Sequence, residues 1–274
     1  MNELLKVSNL TIRDAAAGRT LVSDCSFRIA EGSCLAIVGE SGSGKSLTCR
    51  SIVRLNDPRL RQTGDIVFRG ENLSALPDKA IRRYRGRRVC MIVQNGMRAF
   101  DPSRTVGAQL KETIASHFDW SADVIRDKTL SAMDSVMLRD PAAVMTRYPH
   151  QLSGGMLQRL MIAIALVLEP DLIIADEPTT ALDTVSQFEV VNQLVRLRER
   201  SGCSMLVVSH DMGVVRKVAD DIVVMRDGAV VESGETERLF AEPRHVYTRD
   251  LATAKQALHR RYRNLMGGED DAER

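Results

Sequence analysis

Apolar residues in this chain fall into short unbroken runs, separated by longer stretches in which they recur every three or four positions. The runs Cys34-Leu35-Ala36-Ile37-Val38, Val89-Cys90-Met91-Ile92-Val93, Leu172-Ile173-Ile174-Ala175, Cys203 to Ser209 and Ile222 to Met225 read as buried strands. The segments Leu47 to Leu55, Gln151 to Leu168, Gln187 to Arg200 and Val214 to Ala219 carry the helical period. Strands alternating with helices predict an α/β fold with parallel pairing and right-handed crossovers. The first thirty residues differ: residues 3–12 and 20–30 alternate apolar with polar, as at Val22, Cys25, Phe27 and Ile29, around the loose segment Asp14 to Gly18. A β-hairpin is expected there, and Gly64 to Gly70 is a short strand that returns to the same small antiparallel sheet. From about residue 97 to 160 the period is helical throughout, at Val106, Leu110 and Ile114 and again at Ile125, Leu130, Met133 and Val136, with breaks near Trp120 and Pro141. This predicts a helical subdomain inserted into the α/β unit, with its methionines filling the core.

One stretch carries chemistry by itself. Gly39-Glu40-Ser41-Gly42-Ser43-Gly44-Lys45-Ser46 satisfies G-x-x-x-x-G-K-[ST] at every fixed position, between a predicted strand and a predicted helix. Such a loop turns several backbone N–H groups toward phosphate oxygens, and the helix that follows, from Leu47, adds its positive end. Lys45 is then placed for the β- and γ-phosphates and Ser46 for Mg²⁺. Asp176 ends an apolar run and is a second candidate for the cation, with Glu177 beside it as the base that activates water. Gln94 and His210 also stand at strand ends, where residue type alone assigns neither a role; an imidazole near the γ-phosphate can donate a hydrogen bond. All of these fall at the carboxyl ends of predicted parallel strands, where ligands of open α/β sheets bind.

Composition narrows the partners. Charged residues make up 27% and the net charge is +2, so no global field favours nucleic acid or an anionic membrane surface. The run Arg82, Arg83, Arg85, Arg87 and Arg88 is expected to be a solvated loop, since no aromatic platform accompanies it in sequence. Five cysteines, widely spaced and set in apolar stretches without a CxxC pair, predict buried thiols in a reducing compartment. Met1 to Lys6 has charge where an export signal needs its apolar centre, and Leu160 to Leu168 is far shorter than the roughly 18 residues of a spanning helix. Membrane association is therefore expected only through partners.

With those residues placed, the chain resembles the nucleotide-binding subunits of ABC transporters over nearly its whole length. Leu152-Ser153-Gly154-Gly155-Met156 is similar to the family signature LSGGQ, with Met156 in place of glutamine; Asp176-Glu177-Pro178-Thr179 resembles Walker B, Ala181-Leu182-Asp183 the D-loop, Gln94 the Q-loop and His210 the switch histidine. The resemblance implies a RecA-like P-loop NTPase spanning residues 1–240, with an antiparallel β subdomain, a helical insertion and a C-terminal extension over 241–274. It implies ATP and Mg²⁺ as cofactors, the cation held by Ser46, Gln94 and Asp176, and catalysis by Lys45, Gln94, Glu177 and His210. It also implies a head-to-tail dimer in which Ser153, Gly154, Gly155 and Asp183 of one subunit complete the nucleotide site of the other. The family's adenine-stacking ring is missing: no aromatic precedes Phe27, and its place falls near Arg13 to Ala15.

Finer similarity points to the importers of nickel, dipeptides and oligopeptides. It rests on Gln94 to Pro102 and Leu239 to Thr248, while Lys45 to Cys49, Ser153 to Met161, Ile174 to Thr180 and His210 to Val215 look most like the nickel-import members. The implied partners are two permease chains, a second ATPase subunit and, indirectly, an extracytoplasmic solute-binding protein, at the cytoplasmic face of the bacterial inner membrane. No cysteine follows Cys203, which leaves no ligands for a C-terminal iron–sulfur cluster. Residues 249–263 read as a basic amphipathic end before Glu269-Asp270-Asp271, a frayed helix and tail. Competing readings are a soluble ABC ATPase acting on DNA or ribosomes, which should carry a coiled-coil insertion, zinc cysteines or two cassettes, and a binding-only subunit.

Overall fold

The computed structural model describes residues 2–180 and 182–252. The chain runs through β1 (Glu3–Asp14), β2 (Arg19–Ala30), β3 (Cys34–Val38), α1 (Lys45–Ile52), β4 (Leu60–Phe68), β5 (Glu71–Asn72), α2 (Asp78–Ile81) and β6 (Val89–Ile92). Helices α3 (Gly96–Ala99), α4 (Val106–Ala115), α5 (Ala122–Ser135), α6 (Pro141–Thr146) and α7 (Gly154–Leu168) follow. Then come β7 (Leu172–Asp176), α8 (Thr184–Ser201), β8 (Ser204–Val208), α9 (Met212–Val218), β9 (Asp221–Arg226), β10 (Ala229–Glu235) and α10 (Thr236–Ala241).

Two sheets result. The first is antiparallel, in the order β2-β1-β4-β5, as the N-terminal alternation predicts. The second runs β10-β9-β3-β8-β7-β6, with β9, β3, β8, β7 and β6 parallel. Every residue of β3, β7 and β8 is buried, because both faces of this sheet are covered. Alternate side chains serve different cores. Leu172, Ile174, Leu206 and Val208 pack with α1 and the antiparallel sheet, whereas Ile173, Ala175, Met205 and Val207 pack with α7, α8 and the helices of the insertion. Ala36 and Val38 of β3 meet a third cluster with Met212, Val215, Leu239 and Tyr247.

The elements differ from expectation in ways that have local causes. Helix α1 starts at Lys45 and stops at Ile52, where Val53 leaves helical geometry and Arg54 takes a positive φ. Strand β4 begins at Leu60, earlier than its glycine-bounded centre suggests, because Arg13 and Asp14 at the end of β1 pair with Arg61 and Leu60. Helix α8 begins at Thr184, since the Asp183 carboxylate accepts the Ser186 N–H at 3.0 Å and caps it. Strand β10 has no counterpart in the periodicity reading. It follows the tight turn Asp227-Gly228, whose residues have φ of 50° and 82°, the pair of positive values that a two-residue hairpin loop requires. Of the methionines in the insertion, Met133 is core and Met145 and Met156 pack against it, but Met97 and Met137 are exposed, contrary to the expectation.

The arginine run lies in turns with Arg82, Arg83, Arg87 and Arg88 exposed, as expected of a solvated loop, but it has tertiary partners that the expectation lacks. Arg85 donates to the carbonyls of Val53 and Arg54, both at 2.9 Å, where α1 ends. Arg88 and Arg69 both grip Asp171 at 2.9 Å. Arg87 lies 4.7 Å over the Phe118 ring, which stacks on Trp120 at 3.9 Å. An aromatic platform is therefore present, supplied by the α4–α5 connection about thirty residues away in sequence and hidden for that reason. The five thiols are buried and unpaired; burial pushes Cys25, Cys34 and Cys90 up to about 12, so they stay protonated. Among the described residues no helix is long and apolar enough to cross a membrane. The expectation for residues 249–263 and the acidic end lies, from residue 253 on, outside the described residues.

Arg85 is expected to be the costly member of its run. Arg85→Ala leaves two carbonyls at the end of α1 without their donor and should lower the unfolding free energy by about 1–3 kcal/mol. Arg82→Ala, on an exposed neighbour, should change it by less than about 0.5 kcal/mol. Equal denaturation midpoints for the two variants would refute this assignment.

Candidate functional site

The strand ends of the parallel sheet meet at one place. β3 hands the chain to Gly39, whose φ is 153° and whose missing Cβ leaves room for the Met225 carbonyl of β9; a Cβ there would sit 2.1 Å from that oxygen. The loop then folds on itself. Ser43 N–H donates to the Glu40 carbonyl at 3.2 Å, and the buried Lys45 ammonium donates to the carbonyls of Gly39 and Glu40 at 2.9 and 2.7 Å. Gly44, with φ of 98°, stands at the start of α1, so the helix N-terminus opens into the loop. Ser41, Gly42 and Ser43 lie between these anchors, and the Ser43 hydroxyl is buried without a hydrogen-bond partner. Leu47 follows in the first turn of α1.

Asp176 ends β7, one strand removed from β3, with β8 between them. Ser46 bridges the gap: its hydroxyl donates to Asp176 Oδ1 at 2.7 Å. The other oxygen, Oδ2, is buried and has no hydrogen bond; the Arg50 guanidinium approaches it only to 3.6 Å. Burial raises the Asp176 carboxyl above the usual carboxylate range against the pull of Ser46, Arg50 and Lys45, and burial lowers the Lys45 ammonium against Glu177 and Asp176. A hydroxyl and a carboxylate with an unpartnered oxygen, side by side, form an oxygen donor set of the kind a hard divalent cation takes. The residues therefore fit Mg²⁺.

Glu177 follows in a left-handed conformation, φ 47°, uncommon for a side chain of its size and pinned by its N–H donating to the Val208 carbonyl at 3.0 Å. Its carboxylate is a point of convergence. Oε2 accepts from Gln94 Nε2 at 2.9 Å and from the Thr180 hydroxyl at 2.8 Å, and His210 Nδ1 stands 3.7 Å away. Gln94, Glu177 and His210 thus come together from β6, β7 and β8, next to the loop that holds Lys45. Gln94 bonds Glu177 here, not the Asp176 side where the sequence reading places the cation.

The remaining predicted residues lie at the starts of α7 and α8 and at the end of β1; Ser153, Gly154 and Asp183 are exposed and Gly155 is buried. Ser153 caps α7, its hydroxyl accepting the Met156 N–H at 3.3 Å. Gly154 and Gly155 are near Leu182 and Ser186 at the start of α8, and Asp183 is exposed there. Arg13 is exposed at the end of β1, and Asp14 folds the next turn by accepting the N–H groups of Ala16 and Ala17, both at 3.0 Å. Two participants were not apparent in the sequence. Thr180 is signalled only by its place one turn after Glu177, and Tyr247 reaches the loop from the far end of the chain, donated to by Glu40 N–H at 2.8 Å.

The ABC transporter family matches residues 22–180. The metal-staphylopine import system ATP-binding protein CntD of Staphylococcus aureus is 45% identical over 266 residues, covering 97% of this chain and 98% of its own. The dipeptide transport ATP-binding protein DppD of Bacillus subtilis is 41% identical over 255 residues, covering 92% of this chain and 76% of its own. Among solved structures, the dimeric ATP-binding cassette MJ0796 in a post-hydrolysis state with ADP and Pi superposes with a TM-score of 0.76 at 26% identity, over 85% of this chain and 99% of that one. With its phosphate loop, its strand-end carboxylates and these relatives in agreement, the chain belongs to the ABC transporter family, as one of its ATPases.

Proposed function

We propose that this chain is the ATP-hydrolysing subunit of a membrane importer for nickel or a metal chelate. The observation that carries the cargo reading is the 45% identity to a metal-staphylopine import ATPase across essentially both chains. Dipeptide import is the second reading, favoured by the 41% identity to a dipeptide transport ATPase. Cargo selection belongs to permease chains and a solute-binding protein, with a second ATPase subunit as the partner in the nucleotide dimer.

In this reading the amides of Gly42 to Ser46 and the start of α1 hold the nucleotide phosphates, and Lys45 exchanges its carbonyl partners for phosphate oxygens. Ser46 and Asp176 would hold Mg²⁺, which would supply charge neutralisation at the phosphates. Glu177 orients and deprotonates the attacking water, and Gln94 and His210, already gathered at its carboxylate, sense the state of the γ-phosphate. Ser153, Gly154 and Gly155 approach this site from the partner subunit, with Asp183 alongside. Closure on ATP and opening after hydrolysis then move the membrane subunits, because contacts to the γ-phosphate favour only the closed state.

Two measurements test the proposal. In the assembled transporter, Glu177→Gln should lower ATP turnover by about 10²-fold or more while nucleotide binding is kept; unchanged turnover would remove Glu177 from the chemistry. In cells lacking the gene, uptake of radiolabelled Ni²⁺ with and without a chelator should fall while labelled dipeptide enters normally. Loss of dipeptide uptake with normal nickel entry would keep the ATPase and overturn the cargo.

A further inference from the structure

The segment after α10 does something that the ATPase motifs do not require of it. It passes through Pro243 and enters a helical turn over residues 246–252. Its position is fixed from β10: the Glu232 carboxylate accepts the N–H groups of Arg244 and His245 at 2.9 and 3.1 Å. The His245 ring then accepts the Tyr247 N–H at 3.2 Å. These bonds set one side chain. The Tyr247 ring is 5% exposed and packs among Val38, Met212, Val224 and Leu239, directly under the end of β3. The Arg226 guanidinium covers it at 5.0 Å.

At the tip of that ring the hydroxyl accepts the Glu40 N–H at 2.8 Å. Glu40 is the second residue of the phosphate loop, and its carbonyl is held on the other side by the Lys45 ammonium at 2.7 Å and by Ser43 N–H at 3.2 Å. The peptide groups flanking this residue are therefore clamped at both ends, one end by the loop's own lysine and the other by a residue 207 positions away. A phenylalanine would fill the same apolar pocket. The hydroxyl is needed only for Glu40.

We propose that Tyr247 is a positioning residue of the nucleotide site, through which the C-terminal segment holds the phosphate loop in its binding shape. The inference rests on the reading that Gly39 to Ser46 holds the nucleotide phosphates. A loop already shaped loses less freedom when the phosphates arrive, so the bond contributes to affinity although it touches no ligand. When Lys45 turns from the Gly39 and Glu40 carbonyls to a phosphate, the Tyr247 bond remains, with the Ser43 N–H on the Glu40 carbonyl, to hold this end of the loop.

The test uses the full chain and a fluorescent ATP analogue with Mg²⁺, with thermal unfolding measured without nucleotide as the control for packing. Tyr247→Phe should weaken binding about threefold to tenfold, the effect of one hydrogen bond, with the nucleotide-free melting temperature nearly unchanged. In the assembled transporter the same variant should raise KM for ATP with kcat little altered. Glu232→Gln, which loosens the anchor without touching the hydroxyl, should shift affinity the same way by less. Equal affinity and KM in Tyr247→Phe and wild type, or a lowered melting temperature with unchanged affinity, would overturn the proposal. Lys45→Ala is the separate control: undiminished binding in that variant would instead sink the phosphate-loop reading.

Discussion

Asp176 and Lys45 are opposite charges taken almost fully out of water within a few ångströms of backbone that has already ended its strands. A buried carboxylate oxygen without a hydrogen bond is expensive, and so is a buried ammonium whose partners are neutral carbonyls. The fold tolerates both because each is half satisfied, Asp176 by Ser46 and Lys45 by Gly39 and Glu40. What is left over is one carboxylate oxygen, one serine hydroxyl at Ser43 and a lysine that can change partners. In the proposed function those are the groups that a nucleotide with its cation would complete.

The rest of the architecture serves to keep that arrangement in place. The parallel sheet is covered on both faces, so β3, β7 and β8 cannot shift register without exposing apolar side chains, and their ends stay aligned. Glu177 is held in a strained conformation by β8 and receives Gln94 and Thr180 at one oxygen. Gln94 sits just before the helical insertion and ties its start to that carboxylate. At the opposite side of the loop, Tyr247 performs a corresponding task from the C-terminal segment. The site is thus reached from the helical insertion through the strand-end residue Gln94 and from the C-terminal segment through Tyr247.

Much of this was legible in the chain because short apolar runs with a polar residue at the end announce both a strand and what it delivers. Gly39, Gln94, Asp176, Glu177 and His210 follow from that grammar, and their convergence follows from parallel pairing. The antiparallel opening was readable from alternation at Val22, Cys25, Phe27 and Ile29. Side-chain partners distant in sequence were not: Arg87 with Phe118, Arg50 with Asp176, and Tyr247 with Glu40 leave no periodic trace. Strand β10 was missed although Asp227-Gly228 is a hairpin signal, because the following Ala229 to Glu235 alternates only weakly in burial. Helix starts at Lys45 and Thr184 were set by the glycine turn and by the Asp183 cap, local chemistry that outranks the apolar period.

The central claim is that nucleotide and divalent cation complete one buried charge arrangement, so each should depend on the other. The direct measurement is thermal unfolding of the full chain with Mg²⁺ alone, with ATP and a chelator, and with both. Since a ligand that binds only the folded state stabilises it in proportion to its occupancy, the account predicts a rise with both together that exceeds the sum of the separate effects, and its loss in Asp176→Asn. The same rise with ATP in the presence of the chelator, retained in Asp176→Asn, would contradict it.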